Sequence, residues 1–275
     1  MAQASPLGLE YTMRLFWQLI KLGFQQQLSY RAANLAGLAT NFFFGLLRAS
    51  VMIALYNARA EVAGIPLQAA ITYTALTQGI VAYLSLFYWG NVMLAVRSGD
   101  IASDLLKPMD YFAFWCAQDI GRAIAHFFLR GVTIMLAYAV FFKITLPQTF
   151  AQWLALGVAL CLSLLVSFGW RFLINLTAFW TPDARGIGRV AFGLSWFLSG
   201  FLMPLRFFPN WFVTLCRLTP FPAMVNTVVE VYLGTLQGPA LLAALGEQVL
   251  WAVLLFAICQ FVMRAGVRRL VIQGG

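Results

Sequence analysis

The chain has 275 residues, of which 62% are hydrophobic and 10% are charged. This composition leaves too little polar surface to cover a soluble core, so it excludes a soluble globular protein and indicates an integral membrane protein. The formal net charge of +9 would favour nucleic acid as the partner of a soluble protein. Here the basic residues fall mostly in short polar segments between apolar runs, where they set orientation and contact anionic membrane lipids, so we expect no nucleic acid partner.

Metal, redox and secretory signals are weak in this sequence. His126 is the only histidine, and the four cysteines are widely spaced, so we expect no metal site and no cofactor in this chain. The first eleven residues lack a basic start followed by a short apolar core, and we therefore expect no cleavable signal peptide.

An amphipathic helix is predicted near the N-terminus, over residues 14–28. Polar residues recur there at helical spacing, and Met13, Phe16, Ile20 and Phe24 fall on another face. The pattern is typical of a helix lying in the membrane interface, although the frayed start of the first span would also fit. We accordingly divide the chain into an N-terminal cytoplasmic segment, residues 1–30, and a single transmembrane domain, residues 31–275.

Apolar runs long enough to cross a hydrocarbon layer of about 30 Å recur along the whole transmembrane domain. They predict an all-α integral membrane protein with about six transmembrane helices. The predicted spans are 32–56, 69–96, 117–142, 153–180, 190–204 and 241–263, with a further short helix over 223–233.

A polar segment, RSGDIASDLLKPMDY (residues 97–111), separates the second predicted span from the third. We call it the elbow. Ser98 or Asp100 is suited to cap a short helix there, Ile101, Leu105 and Leu106 give it an apolar face, and Pro108 ends it. A short helix held out of the bilayer by two spans is a suitable attachment point for another protein.

Prolines interrupt the region after the fifth predicted span. The stretch from Gly200 to Pro222 also contains Pro204, Pro209 and Pro220 among aromatic residues such as Trp211. One continuous spanning helix does not accommodate that many prolines, and non-helical backbone at membrane depth requires cover from protein or water. We therefore predict short re-entrant or interfacial helices on the outer side.

The distribution of lysine and arginine predicts the orientation. With the N-terminus inside, ten of these residues in polar segments fall on the cytoplasmic side and four fall outside. The excess predicts that both termini and the elbow are cytoplasmic.

Charged and polar residues inside the predicted spans are costly and require a reason. In the third span Asp119, Arg122, His126 and Arg130 share one helical face. They either line a substrate path or pair locally, reach the membrane edge and bond neighbouring helices. The same alternatives stay open for Arg48, Arg171 and Asn175.

These features together resemble the permease subunits of the type-2 ABC exporter family, over essentially the whole chain. The resemblance rests on the elbow motif Gly99-Asp100-Ile101 with Leu105-Leu106-Lys107-Pro108. It also rests on the stretch Ser199–Pro204, followed by Phe208-Pro209-Asn210-Trp211 and Leu218-Thr219-Pro220-Phe221.

The resemblance implies a transporter subunit without catalytic residues, paired with a second identical or homologous permease and with cytoplasmic ATPase subunits, two in number. ATP and Mg²⁺ would be bound by those ATPases, since the sequence has no phosphate-binding GxxxxGK[ST] loop. The implied location is the bacterial inner membrane, and the implied docking residues are Gly99, Asp100, Ile101, Asp104, Leu105, Leu106, Lys107 and Pro108, with Asp183 and Arg185 from a second loop.

An apolar, aromatic-rich interior favours an amphipathic or lipid-like substrate. Two other functions remain open on the residues alone. One is an intramembrane lipid-modifying enzyme or protease, although a single histidine and no paired carboxylates offer little for catalysis. The other is a channel without a motor.

Overall fold

A bundle of helices accounts for most of the chain. The computed structural model describes residues 6–57, 59, 61–181 and 184–270, and it confirms an all-α membrane protein. The helices are α1 Pro6–Ser29, α2 Arg31–Tyr56, α3 Leu67–Leu84, α4 Asn91–Ser98, α5 Ile101–Asp104, α6 Tyr111–His126, α7 Thr133–Phe141, α8 Phe150–Leu176, α9 Ala184–Leu198, α10 Asn210–Arg217, α11 Phe221–Met224, α12 Asn226–Tyr232 and α13 Gly238–Val267.

Shorter elements complete the description. A π-helical segment, Phe127–Val132, joins α6 to α7, and 3₁₀ turns occupy Thr177–Phe179 and Leu205–Phe207. Two-residue strands, β1 Glu61–Val62 and β2 Ile65–Pro66, pair antiparallel in a hairpin between α2 and α3. We call the end of the bundle that carries this hairpin the hairpin end, and the opposite end the elbow end.

Four helical stretches among the described residues are long and apolar enough to cross a membrane. They are Arg31–Tyr56, Tyr111–Phe141, Phe150–Phe179 and Gly238–Val267. The second and fifth predicted spans are built from shorter helices, α3 and α9, so the count of six stays a prediction.

Helix α3 lies at the centre of the bundle, packed against α2, α6, α7, α8 and α12. Every residue from Ala70 to Leu84 is buried. Its threonines tolerate this because their hydroxyls bond the helix's own carbonyls: Thr72 donates to Gln68 at 2.8 Å and Thr74 to Ala70 at 3.0 Å.

The second predicted span is not one helix, because α3 ends at Leu84. Ser85 adopts a left-handed conformation with φ 51°. Its N–H donates to the Ala82 carbonyl at 3.3 Å, and the Leu86 N–H donates to the Val81 carbonyl at 3.2 Å. This pair of bonds is the Schellman motif that terminates helices. Six non-helical residues, 85–90, then separate α3 from α4.

The third predicted span begins six residues earlier than expected. Its first helix, α6, starts at Tyr111 rather than at residue 117. Asp110 sets this start, since its side chain accepts a hydrogen bond from the Ala113 N–H at 2.8 Å. An aspartate in this position satisfies one of the N–H groups that a helix start leaves unpaired.

The N-terminal helix packs along α6 rather than standing apart from the bundle. Gly23 and Gly121 form the contact, because a Cβ atom on either would collide with backbone of the other helix. Of the predicted apolar face, Phe16, Ile20 and Phe24 are half-buried, whereas Met13 is exposed.

The proline-rich region forms short helices, as predicted. Pro204, Pro209 and Pro220 each immediately precede a helical turn, which suits a residue with fixed φ and no N–H. Gly200 adopts φ 80°, and Trp211 is exposed.

Arg48 and Tyr73 form hydrogen bonds with the backbone of the non-helical stretch that follows α9. The Arg48 guanidinium donates to the Phe201 carbonyl at 2.5 Å and to the Leu202 carbonyl at 2.7 Å. The Tyr73 hydroxyl donates to the Gly200 carbonyl at 2.5 Å. Arg48 thus satisfies carbonyl groups that the broken helix leaves without a partner.

Candidate coupling site

The elbow consists of α4, a left-handed glycine and the single turn α5. Gly99 adopts φ 85°, which reverses the chain between the two helices. Asp100 occupies the predicted cap position, but its carboxylate accepts from the Ser98 hydroxyl at 2.6 Å instead of capping the backbone. Asp104 pairs with Lys107 at 2.6 Å.

One side of the elbow is anchored in the protein and the other is presented outward. Ile101 is fully buried, whereas the Leu106 side chain is 86% exposed. Leu105 is half-buried, and Pro108 is exposed. An exposed leucine beside charged residues is a suitable contact for another protein, because it offers apolar area that burial would stabilise.

Beneath Ile101 lies an aromatic cluster that connects the elbow to α8 and α13. The ring of Phe112 contacts those of Phe168, Phe172 and Phe256, with centroids 5.1, 5.0 and 4.8 Å apart. Interiors packed at this density transmit a displacement rather than absorbing it. The cluster is therefore suited to pass a force on the elbow to two long helices.

The second predicted docking loop approaches the same end of the bundle. Arg185, at the start of α9, and Arg97, at the end of α4, line one pocket of about 170 Å³. Asp183 lies outside the described residues, so its predicted role stays a prediction.

A buried ion network lies between α6 and α8. Asp119 accepts from Arg122 at 2.8 Å and from Arg171 through two bonds of 3.0 and 2.6 Å. The Asp119 and Arg171 side chains are 2% and 1% exposed. Charges this deeply buried are retained only when they are paired, and the two-point contact between Arg171 and Asp119 is the strong form of such a pair.

The network contains two arginines but one carboxylate, so one positive charge has no acidic partner within it. The C-terminus of α3 compensates for that charge with its carbonyl groups. Arg122 donates to the Ala82 carbonyl at 3.0 Å and to the Tyr83 carbonyl at 2.9 Å. These carbonyls belong to the last turn of α3, where the helix dipole is negative. Arg122 therefore binds the central helix and Asp119 at the same time.

The non-helical residues 85–90 are held by side chains of other helices. The Ser167 hydroxyl donates to the Leu84 carbonyl at 3.0 Å, and the Trp196 indole donates to the Leu86 carbonyl at 3.0 Å. Asn175 donates to the Trp89 carbonyl at 2.7 Å and accepts from the Met93 N–H at 3.0 Å. The segment between α3 and α4 is thus fixed by hydrogen bonds from other helices. It forms a joint between the central helix and the elbow.

The two remaining members of the predicted stripe lie apart from this network. Arg130, in the π-helical segment, donates to Asn34 Oδ1 at 3.3 Å and to the Ala33 carbonyl at 3.4 Å. His126 is buried, and no described residue is a hydrogen-bond partner of its Nδ1. The structure brings Asp119, Arg122, Arg171 and Asn175 to one place. Arg130 instead contacts α2, and Arg48 contacts α3 and the stretch after α9.

Several residues of this site carry no sequence signal. Ser85, Ser167 and Trp196 are ordinary residues of apolar runs, and only their contacts give them a role. The close contact of Gly23 with Gly121 was equally unmarked, since isolated glycines are frequent in membrane helices.

Residues 41–274 match the family described as ABC-2 family transporter protein. The chain belongs to the ABC-2 transporter family. The match covers most of the sequence and confirms the resemblance that the elbow and the proline-rich region suggested. A search of curated proteins found no match.

Membership defines this ABC-2 permease as the membrane-spanning subunit of an ABC transporter and not as its catalytic subunit. Permeases of this family work with ABC ATPase subunits. A permease of this kind requires a contact for the ATPase and a mechanical link from it into the bundle. The elbow, the aromatic cluster and the ion network are suited to these two tasks.

Proposed function

We propose that this permease exports an amphipathic or lipid-like substrate, driven by two ATPase subunits that bind the elbow of each chain in a permease pair. Leu106 carries the proposal, since its exposed side chain lies on a segment whose other side is anchored by buried Ile101. ATP and Mg²⁺ are bound by the ATPases in this scheme. Leu105, Lys107, Pro108 and the loop of Asp183 and Arg185 complete the contact.

Movement of the ATPase at the elbow is transmitted into the helix bundle along two routes. The first runs from Ile101 through the aromatic cluster into α8 and α13. The second runs through the joint at residues 85–90 and the Arg122 contacts to the end of α3. Because α3 is the central helix, its displacement repacks the surrounding bundle, and rigid elements that move about a joint are a common mode of conformational switching.

In this proposal both termini and the elbow face the cytoplasm of a bacterium, and the protein resides in the inner membrane. The excess of lysine and arginine at the elbow end supports that orientation. The partner permease, identical or homologous, packs against an apolar helix face. The exposed residues Phe43, Phe44, Leu47 and Val51 on α2 are suited to that contact.

The test is a charge reversal at the elbow. The variant Asp100→Lys/Asp104→Lys should abolish stimulation of the ATPase while the permease remains inserted and assembled in vesicles. Glu61→Lys, in the hairpin at the other end of the bundle, is the control and should leave stimulation unchanged. Full stimulation in the double variant would show that the ATPase binds elsewhere.

A further inference from the structure

A groove with a volume of about 410 Å³ lies between α7 and α8. Its floor is formed by α3 and α12, and its wall includes the π-helical segment. Every lining side chain is apolar or aromatic. Gly79, Leu136, Ala139, Trp153 and Tyr232 represent the four α-helices that line it, α3, α7, α8 and α12.

The groove opens sideways toward the surroundings of the bundle. At its rim Leu136 is 64% exposed and Trp153 is 48% exposed, whereas Ile80 and Tyr232 on the floor are each 5% exposed. Both rim helices belong to stretches long and apolar enough to cross a membrane. The opening therefore faces hydrocarbon, where lipid chains are the solvent.

A positive charge lies beside the hairpin end of the groove. Ile144 and Leu146, from the connector between α7 and α8, line the groove, and exposed Lys143 immediately precedes them. Glu230, on α12, has a cationic partner of its own, since it is paired with Arg206 at 2.8 Å. The arrangement is an apolar groove with an exposed lysine next to one of its lining residues.

We propose that this groove binds one acyl chain of an anionic amphiphile, such as a phospholipid, whose headgroup contacts Lys143. A soluble protein partner is a poor occupant, because the groove opens between two helical stretches that are long and apolar enough to cross a membrane. A single extended chain matches both the concave shape and the apolar lining.

The inner end of the groove adjoins the ion network. The Tyr83 ring lines the groove, and the Tyr83 carbonyl accepts from Arg122 at 2.9 Å. Movement of the end of α3 therefore changes the groove directly. As a site for cargo this inference rests on the proposed function, but acyl-chain binding is testable without any ATPase.

The experiment uses the full-length permease in phosphatidylcholine vesicles that contain a small fraction of a diazirine-labelled lipid. The label is carried on an acyl chain of either phosphatidylglycerol or phosphatidylcholine, and cross-linked peptides are mapped by mass spectrometry. We expect cross-links concentrated on groove residues, with phosphatidylglycerol preferred. Lys143→Gln should remove that preference.

Two filling variants and one matched control test the groove. Ala139→Phe and Leu136→Trp should each lower groove labelling by about tenfold, equivalent to roughly 1.4 kcal/mol of binding free energy. Val140→Phe alters the neighbouring residue, which is 78% exposed and lies outside the lining, and should leave labelling unchanged. Leu136→Trp adds bulk at the open rim and serves if Ala139→Phe does not fold.

Three results would overturn the proposal: labelling spread evenly over all lipid-facing helices, equal losses in Ala139→Phe and Val140→Phe, or a lipid preference that survives Lys143→Gln. Stimulation of the ATPase through the elbow could persist in every one of these cases. Failure of the groove is thus distinguishable from failure of the proposed function.

Discussion

At each end of the described bundle, an arginine from another helix bonds backbone carbonyls where a helix is interrupted. At the elbow end Arg122 bonds the carbonyls of Ala82 and Tyr83, and at the hairpin end Arg48 bonds those of Phe201 and Leu202. Both obey the rule that non-helical backbone in a membrane must be satisfied by protein.

The two arginines differ in what balances their charge. Arg122 shares the carboxylate of Asp119 with Arg171. Arg48 instead contacts the Thr77 hydroxyl at 3.1 Å and lies 4.9 Å from the centre of the Phe201 ring. The elbow-end break therefore belongs to a network of paired charges, whereas the hairpin-end break is held by an arginine whose partners are uncharged. The first is suited to transmit movement, and the second to hold a fixed shape.

The largest effect is expected from Asp119→Ala, which would leave two arginines without their counter-ion. Breaking a buried pair in this way costs about 3 to 5 kcal/mol of folding free energy. Reversible unfolding in mixed micelles measures the loss. Glu10→Ala, which removes an exposed ion pair with Arg14, is the control and should cost less than about 1 kcal/mol. A loss below that level in Asp119→Ala would contradict a buried network.

A second comparison separates the two breaks. Arg122→Met and Arg48→Met should each cost about 1 to 3 kcal/mol, because the first removes the donor to the Tyr83 carbonyl and the second removes the donor to the Phe201 and Leu202 carbonyls. Hydrogen–deuterium exchange should then rise at residues 85–90 in the first variant and at 199–203 in the second. Exchange that rises at both segments in either variant would show that the breaks are not independent.

The smallest effects concern the left-handed residues at the two breaks, and they should have opposite signs. Gly200→Ala should destabilise by about 1 to 2 kcal/mol, the usual cost of a side chain in this conformation. A Cβ there would also lie 2.8 Å from the Tyr73 hydroxyl. Ser85→Gly should stabilise by about 0.5 kcal/mol, since it removes the same strain. Unfolding measurements on the two variants check the signs, and equal signs would contradict this account of the backbone.

The sequence was sufficient to predict the fold class and the hairpin-end break but not the elbow-end break. Pro204, Pro209 and Pro220 mark the former, because proline lacks an N–H and fixes φ. Ser85 has no such property, and the apolar run around it continues without interruption. The end of α3 depends on Arg122, Ser167 and Asn175, which are distant in sequence and meet only in the folded bundle.

The charges inside the spans illustrate the same limit. Helical spacing placed Asp119 and Arg122 on one face of their helix, and they do form an i, i+3 pair. The spacing carried no information about Arg171, which lies 52 residues away and makes the tighter contact with Asp119. A partner on another helix depends on packing, which local periodicity does not encode.

The most direct test of the coupling account is a photo-cross-link from the elbow to the ATPase in the assembled transporter. A photoreactive amino acid at Leu106 should cross-link to the ATPase subunit, and the same group at Leu146, exposed at the hairpin end, should not. Cross-linking of the ATPase from position 146 but not from position 106 would place the motor at the opposite end of the bundle and contradict the account.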